Sequence, residues 1–207
     1  MLSGFPLLRV DGDVVEASNL NRQRFYKEDL RKRKAVALAK NLQRESIAAT
    51  TIRGLGCQIE DLIAEDFDLA CDVVVCGVDN NPTRTLVSRF FRRQGIPVIF
   101  AAVSADADHG YVFVQETVGP CIACLLPDLI DDDRYPCPGT PAVADVLQLV
   151  GALAVYAVDT LLMPRPRTWN YRRVSLCDGA ADGCAILPAR TDCRLAPELS
   201  HSKLAQV

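Results

Sequence analysis

Residues 71–82, CDVVVCGVDNNP, restrict the fold more than any other stretch of the chain. Val73, Val74, Val75 and Cys76 form a continuous apolar run of the kind found in a strand covered on both faces. The run stops at Gly77. Pro82, with its fixed φ and missing N–H, fits the first turn of a following helix, and Asn81 is the expected cap. That helix carries Leu86, Val87, Phe90 and Phe91 on one side and ends at Gly95. PVIFAAV reads as another buried strand, and YVFVQ as a more alternating one. Strand, helix, strand is the pattern of a parallel α/β sheet.

The flanks fit the same class. LLRVDGD reads as a strand end that carries Asp11. Residues 30 to 45 place Ala35, Val36, Leu38, Ala39 and Leu42 at helical spacing, which predicts an amphipathic helix with its basic residues turned to water. AATTI is a short strand. After residue 120, CIACLLPDLIDDDRYPCPGTP is a loop with a cysteine pair, an acidic run and prolines. Val146 to Val158, 13 residues broken by Gln148 and Gly151, is short of the ~20 needed to span a bilayer and reads as a buried helix. RTWNYRRVSL is a further strand, followed by a cysteine-containing tail. The expectation is therefore a Rossmann-like, mostly parallel α/β sheet with helices on both faces, a cysteine-bearing loop and a C-terminal antiparallel extension. It is one domain, with residues 1–117 as the nucleotide-binding part and 118–207 as the cysteine loop, buried helix and tail.

A chain of 207 residues and net charge −3 can bury a real core, and the balance points to neither nucleic acid nor membrane as partner. The positive charge is uneven, however. Nine basic residues lie from Arg22 to Arg44, against Glu28 and Asp29. A solvated helix face accounts for most of this run; the sharper functional reading is confined to Lys34, next to the apolar stripe. Nine cysteines, an odd count, and the absence of a basic leader or long apolar run in MLSGFPLLRV suit a reducing cytoplasm better than a disulfide framework.

Ligands of open α/β sheets sit beyond the carboxyl ends of the strands, where Asp11 and Asp79 fall. An acid there takes ribose hydroxyls, or carries magnesium when it lies beside phosphates. Arg22 and Lys34 flank the same region, the first suited to bidentate phosphate contact and the second to a compact point charge. Cys121-x-x-Cys124 is a knuckle with half of a zinc site's ligands.

DGDVVEASNLNRQRFYKEDLRKRKA, followed by VDNNPTR and then the cysteine pair, resembles the family of ThiF, MoeB and HesA, relatives of the ubiquitin-activating enzymes, from about Leu7 to Leu162. The resemblance implies ATP- and magnesium-dependent adenylation of the C-terminal carboxylate of a ubiquitin-like or sulfur-carrier protein, by a homodimer. It implies that Asp11, with Asp13 beside it, holds the ribose, while Asn19, Arg22 and Gln23 line the phosphate path. Lys34 would neutralise phosphate charge, and Asp79 would hold magnesium with Asn80 and Arg84 nearby. In the family a second cysteine pair completes a zinc site. Here DCRLA offers Cys193, but position 196 is alanine, which leaves Cys184, Cys177 or His201 as fourth ligand, or the site lost. Cys137, in YPCPGTP, stands where many relatives carry a cysteine used in thiol or sulfur transfer; the alternative is a loop cysteine with no role.

The strand, Gly-rich loop and helix with which relatives begin are not found in the sequence, which starts inside what should be the second strand. A sheet without its first strand is expected to expose apolar edges. The competing functional reading is a non-catalytic module that keeps a protein-docking surface. A nicotinamide-dependent oxidoreductase would account for Asp11 but not for SNLNRQ or the cysteine pair.

Overall fold

A computed structural model describes residues 6–47, 50–104, 108–127, 144–163, 165–176, 183–193 and 195. Cys137, Cys177 and His201 lie outside the described residues. The chain divides into two compact units: residues 1–70 with 142–147, and residues 71–141 with 148–207.

In the first unit, β1 (Leu7–Val10) pairs in parallel with β2 (Ile52–Leu55), from Leu7 opposite Ile52 to Val10 opposite Leu55. The helix between them is α1 (Lys34–Glu45), and a shorter helix, α2 (Ile59–Ala64), follows β2. Helix α1 and β2 approach closely at Ala35 and Gly54, whereas Ala37 packs with Val15 and Phe25. Ala35, Ala37 and Ala39 are buried, and a Cβ at Gly54 of β2 would stand 2.2 Å from the Ala35 carbonyl oxygen.

Three expectations for this region change. The helix begins at Lys34 rather than near residue 30, because Arg31, Lys32 and Arg33 are tied to the segment after β1. The Arg31 N–H donates to the Val15 carbonyl at 2.9 Å, the Val15 N–H donates to Lys32 at 2.8 Å, and Val14 faces Arg33 in an antiparallel bridge. Arg31 takes a left-handed φ of 66° to make this turn. Most of the basic run is thus a loop, not a helix face. Val36, expected inside, is half exposed, and the buried place on the helix goes instead to Asn41. The AATTI strand begins later, at Ile52.

In the second unit a five-stranded sheet runs β3 (Val74–Cys76), β4 (Val98–Val103), β5 (His109–Gln115), β6 (Tyr171–Ser175), β7 (Gly183–Ala185). β3 and β4 are parallel, joined through α3 (Asn81–Arg93), and the remaining neighbours are antiparallel. The parallel part is smaller than expected because only residues 104–108 connect β4 to β5. That connection can make a hairpin, whereas a parallel return needs a crossover of a dozen residues or more. Val75 is half exposed rather than buried, and its strand is the edge of this sheet.

Register sorts the side chains onto two faces. Gln115, Phe113 and Tyr111 share one face with their partners Val98, Phe100 and Ala102. Val114, Val112 and Gly110 share the other with Ile99, Ala101 and Val103. A side chain at Gly110 would collide with Val150 of α5 (Ala144–Leu162), which lies over this second face. Helix α4 (Ile122–Leu125) follows β5.

The helix α5 is longer than expected and less buried. Its 19 residues are enough, by length and composition, to cross a membrane. One stripe, Val146, Val150, Ala154 and Ala157, is buried, while Leu149, Val155 and Tyr156 are exposed. At its far end the Tyr156 ring stacks 6.4 Å from Trp169, and the Arg167 guanidinium lies 5.7 Å from the same indole. Trp169 itself is buried.

Candidate functional site

The first unit gathers acids and a lysine at the carboxyl end of β1. Asp11 accepts a hydrogen bond from Arg9 at 3.0 Å with one carboxylate oxygen and from the Asp13 N–H at 3.1 Å with the other. The Lys34 ammonium donates to Asp13 at 2.8 Å, and the Lys34 N–H donates to the Asp13 carbonyl, also at 2.8 Å. Arg33 reaches the Gly12 carbonyl. Asp11, Asp13 and Lys34 are therefore brought together, with two of the three at the N-terminal boundary of α1 or touching it. Lys34 is largely covered, whereas the Asp13 carboxylate is exposed. A strand end that meets a helix start is a general anion-binding arrangement, since the first N–H groups of the helix lack partners within it.

The SNLNRQRF segment has an internal skeleton. Asn19 is buried, and its side-chain oxygen accepts from the Glu16 N–H at 3.0 Å. Its carbonyl accepts from the N–H groups of Arg22 and Gln23. Asn19 thus closes a 3₁₀ turn. Arg22 folds back onto the Ser18 carbonyl at 2.6 Å and onto Asn21 at 3.1 Å, and Gln23 is exposed.

Sequence reasoning missed what anchors this loop. Asp29 is buried, and its carboxylate accepts from the Tyr26 N–H at 3.1 Å, the Asn41 amide at 2.7 Å and Lys32 at 3.1 Å. Asn41 also donates to the Arg24 carbonyl at 3.0 Å. Burial alone pushes the Asp29 carboxyl up, but Asn41, the Tyr26 N–H and Lys32 outweigh it and hold it below the usual carboxylate range. The available signal was an asparagine at a buried phase of an otherwise alanine-lined helix.

In the second unit, Asp79 and Asn80 follow β3, both exposed. Asn80, rather than Asn81, caps α3: its side-chain oxygen accepts from the Thr83 N–H at 2.8 Å. Asn81 instead accepts from Arg84 at 2.9 Å. The cap engages the Asn80 oxygen, so that side chain faces the helix start rather than standing free beside Asp79.

The cysteines converge. The sulfurs of Cys121, Cys124 and Cys193 lie within 4.8 Å of one another, with Cys121 3.9 Å from Cys124 and 3.2 Å from Cys193. In a tetrahedral zinc–thiolate site, bond lengths near 2.3 Å put sulfurs roughly 3.8 Å apart, so the donor set fits that ion. Backbone N–H groups serve the sulfurs as well: the Arg190 N–H points at Cys124 at 3.4 Å. Burial, aided by Cys193, pushes the Cys121 thiol up to about 12. Burial also pushes Cys124 up, but N–H groups led by that of Arg190 outweigh it, so its thiol lies below the usual value. Cys184, on β7, is exposed and stands outside the cluster.

The chain is 32% identical over 162 residues to the SAMP-activating enzyme E1 of Haloferax volcanii, covering 76% of this chain and 58% of the relative. It is 32% identical over 160 residues to the sulfur carrier protein adenylyltransferase of Thermus thermophilus, covering 74% and 59%. Among solved structures, E. coli MccB with ATP superposes with a TM-score of 0.74 at 16% identity, over 93% of this chain and 59% of that one, a likeness of fold. The chain thus spans less than two thirds of the length of these proteins. The ThiF family model matches residues 2–194, and the chain belongs to the ThiF family.

Proposed function

We propose that this chain carries the adenylation chemistry of an E1-like adenylyltransferase acting on a sulfur-carrier or ubiquitin-like protein. The observation that supports this most is the cluster of Asp11, Asp13 and Lys34 at the β1 end, in a member of a family whose relatives bear such names. In the reaction, a carboxylate oxygen of the carrier's C-terminus attacks the α-phosphorus of ATP. The bond to pyrophosphate breaks, leaving an acyl-adenylate.

Positioning and charge neutralisation dominate such chemistry. Asp11, with Asp13, takes the ribose hydroxyls. Asn19, Arg22 and Gln23 border the phosphates, and Lys34 exchanges its Asp13 partner for phosphate oxygens. Asp79 would hold magnesium, which supplies charge neutralisation at the phosphates, with Asn80 and Arg84 adjacent. Cys121, Cys124 and Cys193 would hold zinc as a structural ion. Cys137 is the candidate for a later thiol or sulfur transfer, in a cytoplasmic homodimer.

Pyrophosphate–ATP exchange with a carrier protein, run on this chain and on one extended upstream, tests the reading. Exchange abolished by Asp79→Ala and Lys34→Ala supports it. No exchange in either form would favour a docking module without turnover.

A further inference from the structure

Gln115 is completely buried at the end of β5, and Ser88 of α3 is buried beside it. The Gln115 side-chain oxygen accepts from the Ser88 hydroxyl at 2.6 Å and from the Ile122 N–H at 3.2 Å. Its amide nitrogen donates to the Ser88 carbonyl at 3.1 Å. The Ile122 N–H belongs to the peptide bond that leaves Cys121, so Gln115 grips the peptide plane attached to the cluster's most buried thiol. From the same helix, Arg92 donates to the Gly119 carbonyl, two residues before Cys121. Cys121 is thus bracketed on both sides by groups of β5 and α3.

A buried primary amide is costly unless its hydrogen bonds are made, and this one, whose oxygen accepts two and whose nitrogen donates one, has a fixed orientation. Apolar packing could fill that space without directing the peptide plane. We infer that Gln115, oriented by Ser88, is a positioning residue for the thiolate site: it holds Cys121 in ligating geometry before a metal arrives. This rests on the reading of the three cysteines as zinc ligands. Groups that orient metal ligands from outside the coordination shell typically change affinity by about 10–100-fold when removed.

The test is zinc affinity, measured by competition with a chromogenic chelator, on the whole chain and three variants. Gln115→Leu should weaken zinc binding by about 10–100-fold, and Ser88→Ala by less. Val112→Ala removes buried side chain from the other face of β5 and touches none of these groups; it should lower stability and leave zinc affinity unchanged. Wild-type affinity in folded Gln115→Leu would overturn the inference, as would a Val112→Ala loss as large as that of Gln115→Leu. If Gln115→Leu does not fold, Ser88→Ala decides, and undiminished affinity there overturns it. A wild-type chain that binds no zinc removes the metal reading itself, a result distinct from equal binding by all variants.

Discussion

Lys34 and Asp13 are joined twice, side chain to side chain and N–H to carbonyl, both at 2.8 Å. The backbone bond fixes where α1 starts, and the side-chain bond parks the ammonium over an exposed carboxylate. Because Asp13 is open to water, the ion pair contributes little to stability, on the order of 0–1 kcal/mol. Lys34→Ala should therefore leave the urea midpoint almost unchanged while lowering pyrophosphate–ATP exchange roughly a hundredfold or more. A variant that loses stability and exchange in proportion would mark the lysine as structural.

The Asp29 carboxylate gives a pH dependence with a definite sign. Its folded pKa is depressed, so the stabilisation it brings is present above the unfolded value, near 3.9, and is lost as pH falls through the folded value. Asp29→Asn should cost about 1.5–3 kcal/mol near neutrality. The gap between its denaturation midpoint and that of the parent should shrink as the pH drops below about 4. A constant gap down to strong acid would contradict the assignment.

Two glycines should respond oppositely to alanine. At Gly54 the new methyl meets the Ala35 carbonyl oxygen at 2.2 Å and its carbon at 2.5 Å, backbone that cannot rotate away. Gly54→Ala should destabilise by about 1–3 kcal/mol, or more. Gly151 lies within α5 and a methyl there meets nothing within 4 Å. Gly151→Ala should stabilise by about 0.5–1 kcal/mol through helix propensity. Thermal unfolding of the two variants beside the parent checks both.

Metal content tests the sulfur cluster. Chain purified with zinc present should hold about one ion, and Cys121→Ser or Cys193→Ser should lose most of it. Binding should release protons as the high Cys121 thiol ionises. Elemental analysis and a proton-release titration read the two effects. Equal zinc in parent and variants would sink the assignment.

Apolar runs announced β3, β4 and β5, and Gly95 ended α3 at a left-handed φ of 74° as its sequence position suggested. These signals are local, and periodicity carries them. What escaped was pairing at a distance. Nothing near Arg31 says that its N–H belongs to Val15, so a basic run beside a helical stripe looked like more helix. Choosing between Asn80 and Asn81 as cap depends on one residue of phase, which neighbouring Asp, Asn and Pro leave open. The convergence of Cys193 on Cys121 and Cys124 was legible only through the family resemblance, since Cys193 lies 69 positions after Cys124. Asn41 and Gln115 were missed because a polar residue in a buried phase reads as a break in the pattern until its partners are known.

The chain has a single tryptophan, and its surroundings make it an optical probe of one unit. Trp169 is buried, with the Tyr156 ring stacked on it and the Arg167 guanidinium close to its indole. Its emission in the native protein should be blue-shifted, and loss of the Tyr156 stack should shift it red before β6 itself opens. Because both partners belong to the second unit, the dye-free signal follows that unit alone. Far-ultraviolet dichroism follows the helices of both. Any separation between the two melting curves would therefore measure how far the two units unfold independently.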